Sequence, residues 1–319
     1  MRLRYSVLST IFTEPIQGGE VTVGGVELEV HRPQSIDANS REVAQGRYDV
    51  GEMSIATFLS AVERGAPLLA LPVFTSGRRF LQCGLRVSER VQPDDLSALK
   101  GRSVGAVRYW MSSCIWQRIV LQEMHGLMPQ DLAWVTIKPE GSDAMAAPRD
   151  VDCRRDETGR PLAELVAAGE IDACLTPGAG PHAPGLDDVT VPAYRDGIAA
   201  EREFYRQCGV FPLQHVTAIQ REFASDHPEV VTALLDAYGR AKRLVGAPQS
   251  GQEWPLPRSG HQSVDQLWEL LGGDPWPYGI SSNRATLEFF LEHAVEQGLL
   301  GRQPQLSELF VADLPAEFQ

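Results

Sequence analysis

Arginine side chains follow two apolar segments of the chain, where they could bind an anion. Arg78 and Arg79 come just after the continuous apolar run PLLALPVF at residues 67–74, and Arg108 follows the segment SVGAV at residues 103–107. The planar guanidinium fork of arginine matches a carboxylate with two parallel hydrogen bonds. We therefore predict that these arginines hold the carboxylate of a small acid. The alternative is that they are solvated surface side chains.

Two other side chains are suited to proton transfer. His215 lies in the apolar segment FPLQHV at residues 211–216, and Glu52 lies near the end of the short strand-like segment YDVGEM at residues 48–53. An imidazole titrates near neutral pH, and a carboxylate can take the proton of a phenolic hydroxyl. We predict that both residues are catalytic. The alternatives are a core histidine with satisfied hydrogen bonds and a carboxylate that interacts with the dipole of the following helix.

Five further residues stand at positions where a ligand could be bound. Ser54 and Ser112 precede helical patterns, Thr75 and Ser76 follow the apolar run, and Tyr109 follows the segment that ends at residue 107. Serine at the start of a helix commonly serves only as a cap, although helix N-termini also bind anions through backbone N–H groups. An exposed tyrosine ring can stack on an aromatic ligand. We predict that all five contact the substrate.

The spacing of apolar residues predicts which elements position these side chains. Strand and helix patterns alternate over residues 20–74 and again over residues 103–175, which indicates mostly parallel sheets, whereas the last third of the chain is mainly helical. We predict a two-lobed α/β fold, with residues 1–101 and 212–319 in a discontinuous first lobe and residues 102–211 in the second. The ligand cleft is expected between the lobes, at strand carboxyl ends and helix N-termini.

Composition restricts the partners of this chain of 319 residues. Hydrophobic residues make up 43% and charged residues 22%, as in an ordinary globular protein, and 29 Lys and Arg against 42 Asp and Glu give a net charge of −13. This negative charge disfavours nucleic acid and anionic membranes as partners. A small anion is still compatible, because a few local arginines can override the global sign.

The N-terminal segment and the cysteines predict a cytoplasmic location. The first 12 residues, MRLRYSVLSTIF, do not show the apolar core and cleavage site of a secretory signal. The five cysteines are widely spaced with no CxxC pair, which is typical of reduced thiols rather than of a zinc ribbon or a disulfide framework. We also expect a homo-oligomer, as is common for cytoplasmic enzymes.

Several familiar motifs do not fit. The segment GRSVG at residues 101–105 matches G-x-S-x-G, but a polar turn precedes the serine and a strand pattern follows it, the reverse of a nucleophile elbow. The sequence has no P-loop, no G-x-G-x-x-G and no HExxH. We therefore predict no cofactor and no metal ligands, and leave open a divalent metal held by distant residues.

A set of ordered segments resembles the 4,5-dihydroxyphthalate decarboxylase family. The resemblance extends from about residue 10 to about residue 310 and rests on YDVGEMSIATF (48–58), PVF (72–74), DDLSALKGRSVG (94–105), GEIDA (169–173), FPLQHV (211–216) and DPWPYGISSNRATLE (274–288). This resemblance implies the type II periplasmic-binding-protein fold. The chain departs from the family at Leu81-Gln82-Cys83, where an Arg-His-Ser-like triplet is usual.

The resemblance implies non-oxidative removal of CO2 from a hydroxylated aromatic acid, with protocatechuate as the product of the name-giving reaction. Combined with the residues above, it predicts a carboxy-lyase in which arginine holds the carboxylate and His215 and Glu52 transfer protons. Two alternatives remain. One is a solute-binding protein that only captures an anion, and the other is a lyase on the same fold that resembles chorismate dehydratase.

Overall fold

The computed structural model describes residues 1–140, 145–177, 184–246 and 260–319. The strands are β1 (Arg2–Ser6), β2 (Glu27–His31), β3 (Val50–Ser54), β4 (Leu68–Leu71), β5 (Leu85–Val87), β6 (Ser103–Ala106), β7 (Ala133–Thr136), β8 (Cys153–Arg155), β9 (Ala173–Leu175), β10 (Val191–Pro192) and β11 (His215–Gln220). The helices are α1 (Glu14–Gln17), α2 (Ile36–Ala44), α3 (Ile55–Glu63), α4 (Ser112–His125), α5 (Leu162–Ala167), α6 (Gly197–Cys208), α7 (Arg221–Asp226), α8 (Pro228–Val245), α9 (Val264–Leu271), α10 (Arg284–Glu296) and α11 (Leu306–Leu309).

The first of two units contains a five-stranded sheet. This unit comprises Met1–Arg78, Leu213–Glu288 and Arg302–Gln319, and its strand order is β2-β1-β3-β11-β4. Strand β1 is parallel to β2 and β3, whereas β11 lies antiparallel between β3 and β4. Both β3 and β4 are buried along their whole length. The sequence LLAL of β4 is apolar throughout, as expected for a strand covered on both faces.

The second unit contains a six-stranded sheet. It comprises Arg79–Pro212 and Phe289–Gly301, and its strand order is β10-β5-β9-β6-β7-β8. Strands β9, β6, β7 and β8 run parallel to one another, and β5 is antiparallel to both β9 and β10. The two sheets with their helices agree with the predicted α/β class.

The predicted division of the chain needs correction. The first crossing, predicted after residue 101, occurs between Arg78 and Arg79, because the short strand β5 pairs with β9 and β10 in the second sheet. The second unit also takes Phe289–Gly301 from the C-terminal region. The predicted return at residue 212 agrees closely with the structure, in which the first unit resumes at Leu213.

Helix α2 is bonded to the second half of strand β3, which includes Glu52. The Asn39 side-chain amide donates to the carbonyl oxygens of Ser6 (3.0 Å) and Glu52 (2.8 Å). Ser40 Oγ accepts a hydrogen bond from the backbone N–H of Ser54 at 2.9 Å. These side-chain bonds attach α2 to β1 and β3 independently of apolar packing.

Among the described residues, no helix combines the length and the apolarity needed to cross a bilayer. The cytoplasmic location stays a prediction.

Close contact between α2 and β3 requires glycine at position 51, and a matched pair of variants tests this. A Cβ on Gly51 would lie 2.2 Å from Val43 Cγ2 and 3.2 Å from the Ser6 carbonyl oxygen. We expect Gly51→Ala to lower the free energy of unfolding by about 1–3 kcal/mol through overpacking. Gly24→Ala is the control, because no atom lies within 4 Å of a Cβ there. Equal urea midpoints for the two variants would contradict this account.

Candidate active site

A buried carboxyl group, that of Glu52, is the centre of the candidate site. Glu52 is 1% exposed on strand β3. Its Oε2 accepts a hydrogen bond from the backbone N–H of Leu8 at 3.0 Å. Its Oε1 accepts from Ser76 Oγ and lies 3.0 Å from His215 Nδ1. Both carboxyl oxygens are therefore engaged by the protein, as a buried carboxyl group requires.

His215 and Ser76 complete what we call the Glu52–Ser76–His215 cluster. His215 is the first residue of β11, opposite Ser54 of β3 in the sheet register. Its Nδ1 lies 2.7 Å from Ser76 Oγ, and its side chain keeps 18% of its surface exposed. Within the described part of the chain, the polar contacts of the ring are made through Nδ1. Nε2 is thus the ring nitrogen available for exchange with a ligand.

A tight turn brings Ser76 to the histidine. Gly77 has φ +66°, a left-handed conformation, and a Cβ there would lie 2.8 Å from His215 Cγ. The Gly77 carbonyl oxygen accepts a hydrogen bond from the backbone N–H of Gln214 at 2.9 Å, and Arg78 forms a β-bridge with Leu213. The loop after β4 is therefore bonded directly to the segment that leads into β11.

Two buried tyrosines lie near Glu52. Tyr5 Oη and Tyr238 Oη are 2.7 Å apart, and both rings are fully buried. Burial, with an added contribution from the charge of Glu52, raises the pKa of both phenols. Both tyrosines therefore stay neutral at physiological pH. They do not offset the charge of Glu52.

Arg78 is a buried cation on the same loop as Ser76. It is 7% exposed, and its Nη1 donates to Asn283 Oδ1. The Asn283 amide in turn donates to the carbonyl oxygens of Gly279 (2.7 Å) and Pro277 (2.9 Å). Burial lowers the pKa of Arg78 to about 10, so the guanidinium is still charged at neutral pH. Arg78 belongs to the first unit, as the cluster does, whereas the other two predicted anion-binding arginines belong to the second unit.

Thr75 and Ser54 are also in the first unit. Thr75 is 3% exposed, and its Oγ1 has no hydrogen-bond partner among the described residues. A buried hydroxyl without a partner is costly, so a ligand atom or a water molecule is expected beside it. Ser54 is the residue before α3, but its side chain makes no capping hydrogen bond to that helix. Neither observation tests the predicted contact with a substrate.

The other predicted binding residues belong to the second unit. Arg79 donates to the carbonyl oxygen of Pro177, and Arg108 Nε donates to the carbonyl oxygen of Pro139 at 2.7 Å. Ser112 is the first residue of α4 and is 5% exposed. The role of these three residues as ligand contacts stays a prediction.

Tyr109 packs among side chains of the second unit. Its ring is 1% exposed, Arg118 Cζ lies 3.9 Å from its centroid, and the rings of Trp110 and Trp134 pack edge-on at 4.8 and 5.5 Å. Its predicted contact with a substrate stays a prediction. Tyr109 also contributes to the lining of a pocket of about 370 Å³ in the second unit.

Three supports of the site escaped the sequence analysis. The backbone N–H of Leu8, the glycine at position 77 and the amide of Asn283 hold Glu52, His215 and Arg78 respectively. Only the glycine carried a signal, because a glycine after two small polar residues indicates a turn. Among the described residues, no group of three or more His, Cys, Asp or Glu side chains is close enough to hold a metal.

Replacement of Gly77 should disturb His215 directly. We expect Gly77→Ala to change the side-chain NMR resonances of His215 and to lower the free energy of unfolding by about 1–3 kcal/mol more than Gly65→Ala. Both glycines have positive φ (+66° and +84°), so the backbone strain is shared, but no atom lies within 4 Å of a Cβ at Gly65. Unchanged His215 resonances in Gly77→Ala would refute the contact.

Comparison with known sequences identifies two relatives with the same name. The chain is 28% identical over 311 residues to a 4,5-dihydroxyphthalate decarboxylase of Comamonas testosteroni, covering 93% of this chain and 92% of that protein. It is 27% identical over 216 residues to a 4,5-dihydroxyphthalate decarboxylase of Pseudomonas putida, covering 65% and 82%. No family model matches the chain.

Solved structures with the same fold include binding proteins and an enzyme. The aliphatic sulphonate binding protein SsuA of Escherichia coli aligns with a TM-score of 0.57 at 15% identity, covering 100% of this chain and 99% of that one. A variant of the desulfurization enzyme DSZB in complex with biphenyl-2-sulfinic acid aligns with a TM-score of 0.53 at 14% identity, covering 98% and 96%. The predicted fold class and the predicted resemblance are both confirmed. The chain is similar in sequence to these two 4,5-dihydroxyphthalate decarboxylases, and it has the fold of the periplasmic binding proteins.

Proposed function

We propose that the protein is a carboxy-lyase that removes CO2, without oxidation, from a hydroxylated aromatic acid similar to 4,5-dihydroxyphthalate. The relatives named as decarboxylases support the reaction class over most of the chain. The observation that carries the mechanism is the Glu52–Ser76–His215 cluster, in which a buried carboxyl group and a serine both contact Nδ1 of one histidine.

Decarboxylation of an aromatic acid makes three demands on a site. A cation must hold the carboxylate group of the substrate, an acid must protonate the ring carbon that bears it, and a ring hydroxyl must supply electron density. The C–C bond then breaks, its electron pair returns to the ring, and CO2 leaves. The reaction consumes one proton per turnover, which the acid recovers from water.

His215 is the proposed acid. In the imidazolium form, Nε2–H donates its proton to the ring carbon while Nδ1 remains bonded within the cluster. Glu52 stabilises the imidazolium, as the carboxylate does in other acid–histidine pairs. The sequence suggested that Glu52 takes the phenolic proton itself. Its 1% exposure and its two engaged oxygens favour an action through His215 instead.

Arg78 is the proposed holder of the substrate carboxylate. It is a buried cation two residues after Ser76, and Asn283 fixes its position. Desolvation strengthens the attraction between such a cation and an anion, because the local dielectric constant is low. Thr75 Oγ1, which lacks a partner among the described residues, is a candidate donor to the same ligand.

Capture of an anion without turnover is the second candidate function, because the fold is shared with sulfonate-binding proteins. The two candidates make opposite predictions for one assay. An anion-binding protein will show a thermal shift with 4,5-dihydroxyphthalate and release no CO2, whereas the proposed enzyme will release CO2 from it or from a related hydroxylated acid.

The role of His215 predicts a large loss of turnover on substitution. We expect His215→Ala to lower kcat about 10²–10⁴-fold, the usual contribution of a general acid. His227→Ala is the control, because that histidine pairs with Glu229 on the partly exposed start of α8. CO2 release is the measurement, and circular dichroism checks the fold of each variant. Near wild-type turnover in a folded His215→Ala protein would refute the assignment.

The role of Arg78 predicts weaker substrate binding on a conservative change. We expect Arg78→Lys to raise KM about tenfold or more, because lysine does not reproduce the planar two-bond contact with a carboxylate. Arg86→Lys is the control, since Arg86 is held by Thr190 and Asp187 in the second unit. The comparison requires KM from CO2 release and a thermal midpoint for each variant. An unchanged KM in Arg78→Lys would remove Arg78 from the proposal.

A further inference from the structure

We infer that Ser76 is a positioning residue that, together with Glu52, keeps a hydrogen on Nδ1 of His215 and makes Nε2 the atom that exchanges protons with the substrate. This inference rests on the proposed function, and it names the atom through which the proton moves. It also revises the sequence prediction that Ser76 binds the substrate.

The number of hydrogens available to the cluster determines which of its atoms carry them. Three atoms contact one another: Glu52 Oε1, Ser76 Oγ and His215 Nδ1, with Nδ1 at 2.7 Å from Oγ and 3.0 Å from Oε1. An ionised carboxylate oxygen only accepts, and a serine hydroxyl has a single hydrogen to donate. If Nδ1 carried no hydrogen, its lone pair would face the lone pairs of Oε1 at 3.0 Å.

A hydrogen on Nδ1 removes this conflict. Nδ1–H then points at Oε1 and Oγ, while the hydroxyl of Ser76 donates to Oε1, so every contact in the cluster pairs a donor with an acceptor. In a neutral imidazole only one nitrogen carries hydrogen, and the bond made by one nitrogen therefore sets the state of the other. The cluster thus selects the Nδ1–H tautomer and leaves Nε2 as the base.

This arrangement suits both halves of a turnover. The imidazolium loses its proton from Nε2, and the neutral tautomer that remains is the one the cluster already stabilises. No rotation of the ring is required between protonation and deprotonation. Ser76 is 8% exposed and its hydroxyl hydrogen is used within the cluster, so its contribution is to the orientation and protonation of His215 rather than to substrate contact.

Nuclear magnetic resonance tests the tautomer without any substrate. The full-length protein, labelled with ¹⁵N at histidine, is measured at a pH where the imidazole is neutral, and loss of signals in His215→Gln assigns His215. We expect a protonated Nδ1 and a bare Nε2. We expect Glu52→Gln to lower the Nδ1–H fraction, because the amide can present an N–H donor to Nδ1, and we expect Ser76→Thr, which keeps the hydroxyl, to retain it. A protonated Nε2 in the wild type overturns the inference.

Kinetics separates positioning from substrate binding. For CO2 release from 4,5-dihydroxyphthalate, we expect Ser76→Ala to lower kcat roughly tenfold, equivalent to one hydrogen bond, with little change in KM. Ser76→Thr should recover most of the loss. Ser88→Ala is the control, because Ser88 is also buried and its Oγ has no hydrogen-bond partner among the described residues. A raised KM with unchanged kcat in Ser76→Ala overturns the inference.

The two proposals fail in different ways. If the wild-type protein releases no CO2 from any hydroxylated aromatic acid, the proposed function fails, while the nitrogen spectra still decide the tautomer. If CO2 is released and Nε2 carries the hydrogen, the function stands and the positioning role of Ser76 and Glu52 falls.

Discussion

The hydrogen-bonded burial of Glu52 is the constraint on which the site depends. A carboxyl group at 1% exposure is tolerated only when its oxygens are bonded, and removal of a partner from such a group is strongly destabilising. The partners come from distant parts of the chain: Leu8 follows β1, Ser76 follows β4, and His215 begins β11. The strand order β1-β3-β11-β4 places all three segments around the end of β3. The same strand order therefore both builds the sheet and brings together the residues of the site.

The position of β11 explains why this cluster can form at all. His215 is 163 residues after Glu52, yet the antiparallel insertion of β11 beside β3 makes them neighbours. The segments just before and just after the chain enters the second unit are bonded to each other. Gly77 is hydrogen-bonded to Gln214, and Arg78 forms a β-bridge with Leu213. Glycine at position 77 permits the turn and leaves room for the imidazole. The residues at which the chain passes out of the first unit and returns to it are therefore also next to the histidine and fix its position.

The sequence predicts which residues meet in the site better than how they are arranged. Glu52 and His215 could be selected because each type suits proton transfer and each stands next to an apolar segment. The role of Ser76 could not, since it depends on a turn closed by a glycine and on a strand far along the chain. The burial of the Tyr109 ring could not be predicted either, because it depends on the packing of Arg118 and two tryptophans around it. The crossing between units was misplaced because β5 has only three residues, too few for a periodic pattern.

The cluster also distinguishes catalysis from simple capture of an anion. Proteins of this fold include both binding proteins and an enzyme, so function has to be argued from the site rather than from the fold. To bind an anion, a site needs only cations and N–H donors, and Arg78 supplies a buried cation in the first unit. A carboxylate buried nearby would oppose such binding through like charge. A buried carboxyl group beside His215 is unfavourable for a protein that only binds an anion. It is favourable for the proposed acid, which must take up a new proton after each proton that it donates.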